Sequence, residues 1–357
     1  MKLLGQLILY LFIFYSPLLG QLTVPPNTNI ATIPVNPTPI NLAITPNGDF
    51  LYVICPGSGT IMVFNTLNNT YVTTISGFQY PNSMTIDPSG TYGYVTNIDT
   101  TGPNQNLISV INLNNNQIVR TISGFSQPSG MVITPDGKHG YVCNLATPFT
   151  APNFPNTVVQ VVDLSDYTIT DTISVGQNST AITISHDGKH VYVINFNNGT
   201  AYNSSISVID TSDNSVSATI TGFSQPYAMA ISADDQYAYV TNFSNFNSTQ
   251  VGGSISIVNL TTNQIFASIP MTNQPTGIAI TPNGNLAYFN NYNYSGVTGL
   301  CTVGTMQIPS NIITDTFINV GNAPGAILIN PTGTTAYVTN ALSKIVSVIT
   351  LVQLTTS

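Results

Sequence analysis

The chain contains no glutamate: its thirteen acidic residues are all aspartate, and only five lysines and arginines accompany them. Exposed helix faces usually consist of Glu, Lys, Arg and Ala, whereas Thr, Val, Ile, Tyr and Asn suit strands and turns. The composition therefore predicts an all-β protein. A net charge of −8 without a basic cluster also excludes nucleic acid as a partner, because binding phosphates requires Lys and Arg.

Cysteine is scarce as well, with Cys55, Cys143 and Cys301 as the full set. An exported protein that depended on disulfides would contain more cysteines, in an even number. We therefore expect buried thiols, or at most one bridge. The 42% of hydrophobic residues is enough to build a large core without covalent links.

Residues 1–20 have the pattern of a secretory signal peptide. Lys2 precedes an apolar run from Leu7 to Tyr15, and Pro17 and the small Gly20 follow. The alternative is a retained membrane anchor, although the apolar run is short for crossing a bilayer. No later segment is long and apolar enough to do so. We expect cleavage near Gly20 and a mature protein, residues 21–357, that is a single domain, secreted or at the cell surface.

One hairpin pattern occurs seven times, at intervals of 42 to 51 residues. A β-branched strand enters a Pro-Asn-Gly or Pro-Asp-Gly type of turn, and a second apolar strand leaves it. Each copy has a turn residue and a tyrosine four positions later. The turn residues are Gly48, Gly90, Gly137, Gly188, Asp235, Gly284 and Gly333, and the tyrosines are Tyr52, Tyr94, Tyr141, Tyr192, Tyr239, Tyr288 and Tyr337.

A third and a fourth strand follow each hairpin, as in "ISVIN" from residue 108 and "IVRTISGF" from residue 118. Four short antiparallel strands at this period are typical of WD40-like blades, so the sequence predicts a seven-bladed β-propeller. The last copy lacks a fourth strand. We expect residues 29–35, "NIATIPV", to supply it and close the ring.

The repeats resemble those of the YVTN family of β-propellers, including its YncE-like and surface-layer-type members. The tetrapeptide YVTN itself stands at Tyr94–Asn97, Tyr239–Asn242 and Tyr337–Asn340, and the wider pattern extends over residues 29–350. The resemblance implies the fold. For function it implies only that the protein is secreted or lies at the cell surface, since propellers support many activities.

Long loops between the second and third strands of blades two to six point to a binding face. These loops share one face with the crossings between blades, which we call the loop-rich face. Their aromatic residues, with one acid, are candidates for contacting a protein or a glycan, or else for pinning the loops to the blades. They are Asp99, Phe149, Phe154, Phe196, Tyr202, Phe243, Phe246, Tyr292 and Tyr294.

An asparagine follows the repeat tyrosine by three residues in six blades. One interpretation is a ring of amides around the channel mouth; the other is that each amide holds a crossing loop through its backbone. Repetition in nearly every blade favours the second. The residues are Asn97, Asn144, Asn195, Asn242, Asn291 and Asn340.

Eight Asn-x-Ser/Thr sequons are candidate glycosylation sites, and six of them fall at or near the loop-rich face. Glycans there would shield part of this face from a large partner. The sequons are Asn68, Asn178, Asn198, Asn203, Asn242, Asn247, Asn259 and Asn293.

No nucleophile motif, phosphate-binding loop or zinc pattern occurs. A metal site of His139, His186 and His190 with Asp136 or Asp187 is conceivable, but equivalent positions in adjacent blades lie on the order of 10 Å apart, too far for one ion. We therefore expect no metal and no cofactor.

Three functional hypotheses follow. The leading one is a non-catalytic, exported or cell-surface module that binds a glycan, a protein or an envelope component. The second is a lactonase of the 6-phosphogluconolactonase-like type, whose propellers carry similar repeats, and it would require ionisable groups that converge at the channel mouth. The third is a purely structural component of a surface layer.

Overall fold

The computed structural model describes residues 27–98, 106–145, 157–196, 204–243, 252–293 and 301–352. Within these ranges the chain forms seven four-stranded antiparallel sheets, each a blade, and one short 3₁₀ turn, Pro56–Ser58. The inner strands of neighbouring blades contact one another, and the last contacts the first, so that the ring closes. The prediction of a seven-bladed β-propeller is confirmed.

The strands of the first four blades run outward from the central axis in chain order. Blade 1 contains β2 (Asn41–Ile44), β3 (Phe50–Cys55), β4 (Thr60–Asn65) and β5 (Thr70–Ser76); blade 2 contains β6 (Pro81–Ile86), β7 (Tyr92–Asn97), β8 (Leu107–Asn112) and β9 (Gln117–Ile122). Blade 3 contains β10 (Pro128–Ile133), β11 (His139–Asn144), β12 (Val158–Asp163) and β13 (Ile169–Ser174); blade 4 contains β14 (Ser179–Ile184), β15 (His190–Asn195), β16 (Ser204–Asp210) and β17 (Ser215–Phe223).

The remaining blades follow the same order, except that the outermost strand of blade 7 comes from the start of the chain. Blade 5 contains β18 (Pro226–Ile231), β19 (Tyr237–Asn242), β20 (Ser254–Asn259) and β21 (Gln264–Pro270). Blade 6 contains β22 (Gln274–Ile280), β23 (Leu286–Tyr292), β24 (Thr302–Gln307) and β25 (Ile313–Asn319); blade 7 contains β26 (Pro324–Ile329), β27 (Thr335–Asn340), β28 (Ile345–Thr350) and β1 (Thr28–Pro34).

Strand β1 completes blade 7, as the repeat count predicted. It pairs antiparallel with β28, with Thr28 opposite Thr350 and Ile33 opposite Val346. Because the two ends of the chain share this sheet, the ring cannot open at blade 7 without breaking its backbone ladder.

Four of the repeat tyrosines connect their own blade to the next through an asparagine. Each ring is buried between the two sheets, and the hydroxyl donates to an asparagine in the turn before the outer strand of the following blade. The Oη–Oδ1 distances are 2.9 Å for Tyr52 and Asn116, 2.7 Å for Tyr141 and Asn214, 3.2 Å for Tyr239 and Asn311, and 2.9 Å for Tyr288 and Asn27.

All four of these asparagines have a left-handed backbone, with φ between 56° and 60°. Asparagine tolerates this conformation better than most residues, which explains why it recurs in these turns. The tyrosine and the turn asparagine therefore act as a pair, and the pair between Tyr288 and Asn27 extends the series to the closing blade.

The hydrophobic cores lie between blades rather than within them. One cluster joins Tyr52 and Ile61 of blade 1 to Met84 and Val95 of blade 2, for example. The three cysteines are buried in these cores and carry free thiols, as expected. Burial raises the pKa of Cys55 and of Cys143 to about 12, so these thiols stay protonated at neutral pH.

The hairpin turns form a second ring of contacts on the face opposite the loops, which we call the turn face. A Cβ on Gly90 would lie 3.2 Å from Cδ of Pro46, the turn proline of the preceding blade, and the same contact recurs around most of the ring. Between blades 4 and 5 both partners differ: His186 replaces the proline and Asp235, with φ 55°, replaces the glycine. Their side chains bond at 2.7 Å.

Within the described ranges, no helix has the length and apolar character required to cross a membrane.

The buried tyrosines predict a cooperative alkaline transition. Desolvation raises the pKa of six of them to about 12 and also raises that of Tyr94. A raised pKa stabilises the fold below the unfolded value of about 10, and this contribution is lost as the pH rises from about 10 to 12. Tyrosinate absorbance should therefore show a second step, above pH 10, that coincides with loss of the β-sheet circular dichroism signal.

Desolvation also raises the pKa of Tyr227, which makes eight such phenols. Replacing Tyr52 by phenylalanine should therefore reduce the amplitude of that second step by about one eighth and leave the first step unchanged. A single ionisation step near pH 10 with the circular dichroism spectrum intact would contradict the proposed burial of these phenols.

Candidate functional site

A central cavity of about 920 Å³ runs along the inner strands of all seven blades. Its wall consists of Ile, Leu, Met, Ala and Gly, with amide, hydroxyl and aromatic groups, and none of its lining residues is ionisable at neutral pH. A smaller space of about 330 Å³ lies at the end near the hairpin turns and includes Asp87. The two ends of the channel therefore differ in chemistry: among the described residues, those that line the main cavity carry no charge.

The inner strands carry a β-bulge where they enter the channel wall. In blades 2 to 7 the ladder between the first and second strands shifts register just after the first residues of the inner strand. A bulge frees a residue from the ladder and turns its side chain to a new direction. In five of these blades the second residue of the inner strand lines the mouth of the cavity. These residues are Asn82, Ser129, Thr180, Tyr227 and Gly325.

The threonine of the YVTN sequence supports the bulge. Thr96, Thr241 and Thr339 each accept a hydrogen bond from the backbone N–H that follows the bulged residue, at 3.1, 3.1 and 2.9 Å. Thr241 is fully buried, and its hydroxyl is the hydrogen-bond partner that the backbone N–H of Ala228 requires. The repeat motif thus has a local function: it holds the residue at the channel mouth in a fixed direction.

Further side chains link neighbouring inner strands around the mouth. The amide of Asn82 donates to the carbonyl of Ser129, and the hydroxyl of Ser129 donates to the carbonyl of Ser179 at 3.0 Å. Thr276 bonds the carbonyl of Pro324 at 2.9 Å in the same way. These bonds make much of the rim one connected unit and position its polar groups before any ligand arrives.

A row of three aromatic rings lies at the loop-rich face of blades 5 and 6. The ring centroids of Tyr227 and Phe243 are 6.2 Å apart and those of Phe243 and Tyr292 are 6.1 Å apart, and both pairs are tilted by 32°. Tyr227 is 48% exposed and, like Phe196 of blade 4, lines the cavity. The row offers a hydrophobic surface that continues into the channel mouth.

The structure brings two of the nine predicted loop residues, Phe243 and Tyr292, into one cluster and places Phe196 at the cavity. The other six lie outside the described residues: Asp99, Phe149, Phe154, Tyr202, Phe246 and Tyr294. Sequence reasoning missed the bulged residues, including Tyr227. The sequence feature that could have identified them is the repeat position eight residues before the turn residue, where the residue type differs between most blades. From blade 1 to blade 7 this position holds Ile40, Asn82, Ser129, Thr180, Tyr227, Thr276 and Gly325.

The six repeat asparagines are buried and do not line the cavity. Four of the amides donate to backbone carbonyls of their own blade, as Asn97 does to Val95 at 3.0 Å, and those of Asn195 and Asn291 donate to hydroxyls of their own blade. Asn144 also accepts from the N–H of Ser126 in the crossing between blades, at 2.9 Å, as the interpretation of a held crossing loop predicted. Burial argues against a ring of amides at the mouth for Asn97, Asn144, Asn195, Asn242, Asn291 and Asn340.

The sequons occupy both faces. Asn68 lies in the turn before β5 and Asn259 is the last residue of β20, both on the turn face, whereas Asn178 and Asn293 lie on the loop-rich face. Asn242 is buried, and its amide donates to Ser256 at 2.9 Å, so a glycan there would have to replace this bond. Asn198, Asn203 and Asn247 lie outside the described residues.

Charged residues concentrate on the turn face. Asp136 and Asp234 accept hydrogen bonds from the hydroxyls of Thr134 and Ser232, which hold the pKa of each carboxyl below its usual value. These aspartates stabilise the hairpin turns, because each also accepts a hydrogen bond from a backbone N–H of its own turn. Within the described ranges no group of three His, Cys or Asp side chains could hold a metal, and His186 pairs with Asp235 rather than with His139 or His190.

Removing the hydroxyl of Thr241 tests the support of the bulge. Thr241→Val leaves the N–H of Ala228 without its partner, and we expect the free energy of unfolding to fall by about 1–3 kcal/mol in a denaturant titration. The control is Thr262→Val, an exposed turn position that should change stability by no more than about 0.5 kcal/mol. Equal stability of the two variants would show that the bulge does not depend on this hydroxyl.

Neither a protein-family model nor a curated protein matches the sequence. Among solved structures the chain is similar to one of Kuenenia stuttgartiensis hydrazine synthase, with 20% identity and a TM-score of 0.75. The match covers 88% of this chain and 96% of that chain. A likeness at this identity concerns the fold alone, and it agrees with the blades described above: the protein is a seven-bladed β-propeller.

Proposed function

We propose that this protein is an exported or cell-surface binding module of the YVTN type that performs no catalysis and recognises an envelope component through its loop-rich face. The observation that carries the proposal is the channel mouth, where a rigid repeat presents one residue per blade and that residue varies. Because a rigid repeat carries this position, a different residue in each blade gives the mouth a shape and chemistry that a ligand can recognise.

The chemistry of the mouth supports binding rather than reaction. Its described lining consists of alkyl, amide, hydroxyl and aromatic groups. Such groups orient and desolvate a ligand, whereas general acid–base catalysis requires side chains that exchange protons near neutral pH. This favours the binding hypothesis over the lactonase hypothesis.

The location of the protein rests on residues 1–20 and on the resemblance of the repeats to YVTN propellers. The almost uncharged surface, rich in Asn, Thr and Ser, agrees with an extracellular setting. The purely structural alternative shares this location and differs in one respect: it does not require the channel mouth to be accessible.

Blocking one face at a time tests the proposal. Thr180 is exposed at the channel mouth, and Thr332 is exposed at the tip of a hairpin turn. Thr180→Arg should weaken association of the purified protein with envelope fragments by about tenfold, because it introduces a bulky charge into an uncharged site. Thr332→Arg, which adds the same charge to the turn face, should leave association unchanged.

Sedimentation of the protein with fragments prepared from the cells that secrete it measures this association. The proposal fails if the wild-type protein does not associate, or if Thr332→Arg and not Thr180→Arg abolishes association.

A further inference from the structure

The aromatic row at blades 5 and 6 is a built feature rather than a chance exposure of rings. Tyr227 is the bulged residue of its strand, and its direction is set by the register shift between Pro226 and Ala228. Thr241 holds that shift in place through the N–H of Ala228. Among the bulged residues at the mouth, Tyr227 is the only aromatic one. The mouth is therefore aromatic on the side of blades 5 and 6, where the row lies.

The polar groups beside this row carry no charge. Thr180 of blade 4 and Asn82 of blade 2 line the same cavity as Tyr227. The described aspartates and histidines of the hairpin turns lie at the other end of the channel, as in the cluster of His186, Asp187 and Asp235. A ligand with a net charge would therefore lose its hydration in the cavity without gaining a partner of opposite charge from the described lining residues.

Aromatic faces combined with uncharged amides and hydroxyls match one class of ligand well. The faces of a pyranose ring carry C–H groups that pack against aromatic rings, while its edge carries hydroxyls that both donate and accept hydrogen bonds. Amide and hydroxyl side chains are suited to such hydroxyls because they also donate and accept. The row is long enough to contact more than one sugar ring, since successive centroids are 6.2 and 6.1 Å apart.

We propose that the aromatic row of Tyr227, Phe243 and Tyr292 binds a neutral oligosaccharide, whose end enters the channel mouth beside Thr180. This inference rests on the proposed function and names the class of its ligand. Tyr227 is the principal stacking surface because it is the most exposed of the three rings and also lines the cavity. Phe243 and Tyr292 extend the surface along blades 5 and 6.

Saturation-transfer NMR and calorimetry with defined hexasaccharides test the inference. The neutral probes are the hexamers of β-1,4-glucose, α-1,4-glucose, mannose and N-acetylglucosamine, and the charged probe is hexagalacturonate. We expect at least one neutral hexamer to bind, with saturation concentrated on its C–H protons, and hexagalacturonate to bind at least about tenfold more weakly.

Variants assign the binding to the row. Tyr227→Ala should weaken binding by about tenfold or more, and Tyr227→Phe should keep it within about threefold, because the ring and not the hydroxyl supplies most of the contact. Tyr71→Ala is the matched control, since Tyr71 is 56% exposed on the outer strand β5, away from the mouth. Equal melting temperatures of the three variants would show that the fold is retained.

The inference is overturned if no neutral hexamer binds, if hexagalacturonate binds as tightly as the best neutral one, or if Tyr227→Ala binds like the wild type. Its failure is separate from that of the proposed function. Association with envelope fragments that is sensitive to Thr180→Arg, in a protein that binds none of the neutral hexamers, would leave the binding module standing and point to a ligand other than a neutral saccharide.

Discussion

The buried repeat tyrosine, which in four blades donates a hydrogen bond to an asparagine of the next blade, is the feature on which the architecture depends. Blades have little core of their own, because their hydrophobic side chains pack into the spaces between sheets. The tyrosine fills such a space, and its buried hydroxyl requires a partner. A turn asparagine with φ near 57°, such as Asn116 or Asn214, supplies that partner from the neighbouring blade. The angle between successive blades is thereby defined at the same point in most repeats, and Asn27 meets this requirement for the blade that closes the ring.

A scaffold defined in this way leaves few positions free to vary, and the bulged residue is one of them. Its backbone is held by the YVTN threonine in blades 2, 5 and 7. The side chains of Asn82, Ser129 and Thr276 bond the inner strand of the next blade, whereas those of Thr180 and Tyr227 are exposed at the channel mouth. Changing Thr180 or Tyr227 alters the mouth and leaves those bonds between blades in place. The distribution of charge also distinguishes the two ends of the channel. Aspartates close the turns at one end of the channel, where they accept backbone and hydroxyl hydrogen bonds, and the described lining residues of the main cavity carry no charge.

Much of this fold could be predicted from local patterns. The turn residues, the tyrosines and the missing seventh outer strand all appear as a repeat, so the number of blades and the pairing of β1 followed from alignment of the chain with itself. The site was harder to predict. A register shift depends on how two strands pair and not on the residues of one strand, so Tyr227 looked like an ordinary strand residue, although it is the most exposed ring at the mouth. For the repeat asparagines the sequence left a polar ring open beside a structural role, which repetition favoured. The pattern gives their position along the strand and not the direction in which the side chain is buried, as for Asn340.

The central claim is that recognition takes place at the channel mouth of the loop-rich face. Hydroxyl-radical footprinting of the protein mixed with envelope fragments from the cells that produce it tests this claim most directly, because it reports the exposure of individual rings in the assembled state. The account predicts that oxidation of Tyr227 falls in the presence of the fragments, whereas oxidation of Phe266, 67% exposed on the outer wall of blade 5, stays the same. Protection of Phe266 with unchanged oxidation of Tyr227 would contradict it and place the contact on the outer wall of the propeller.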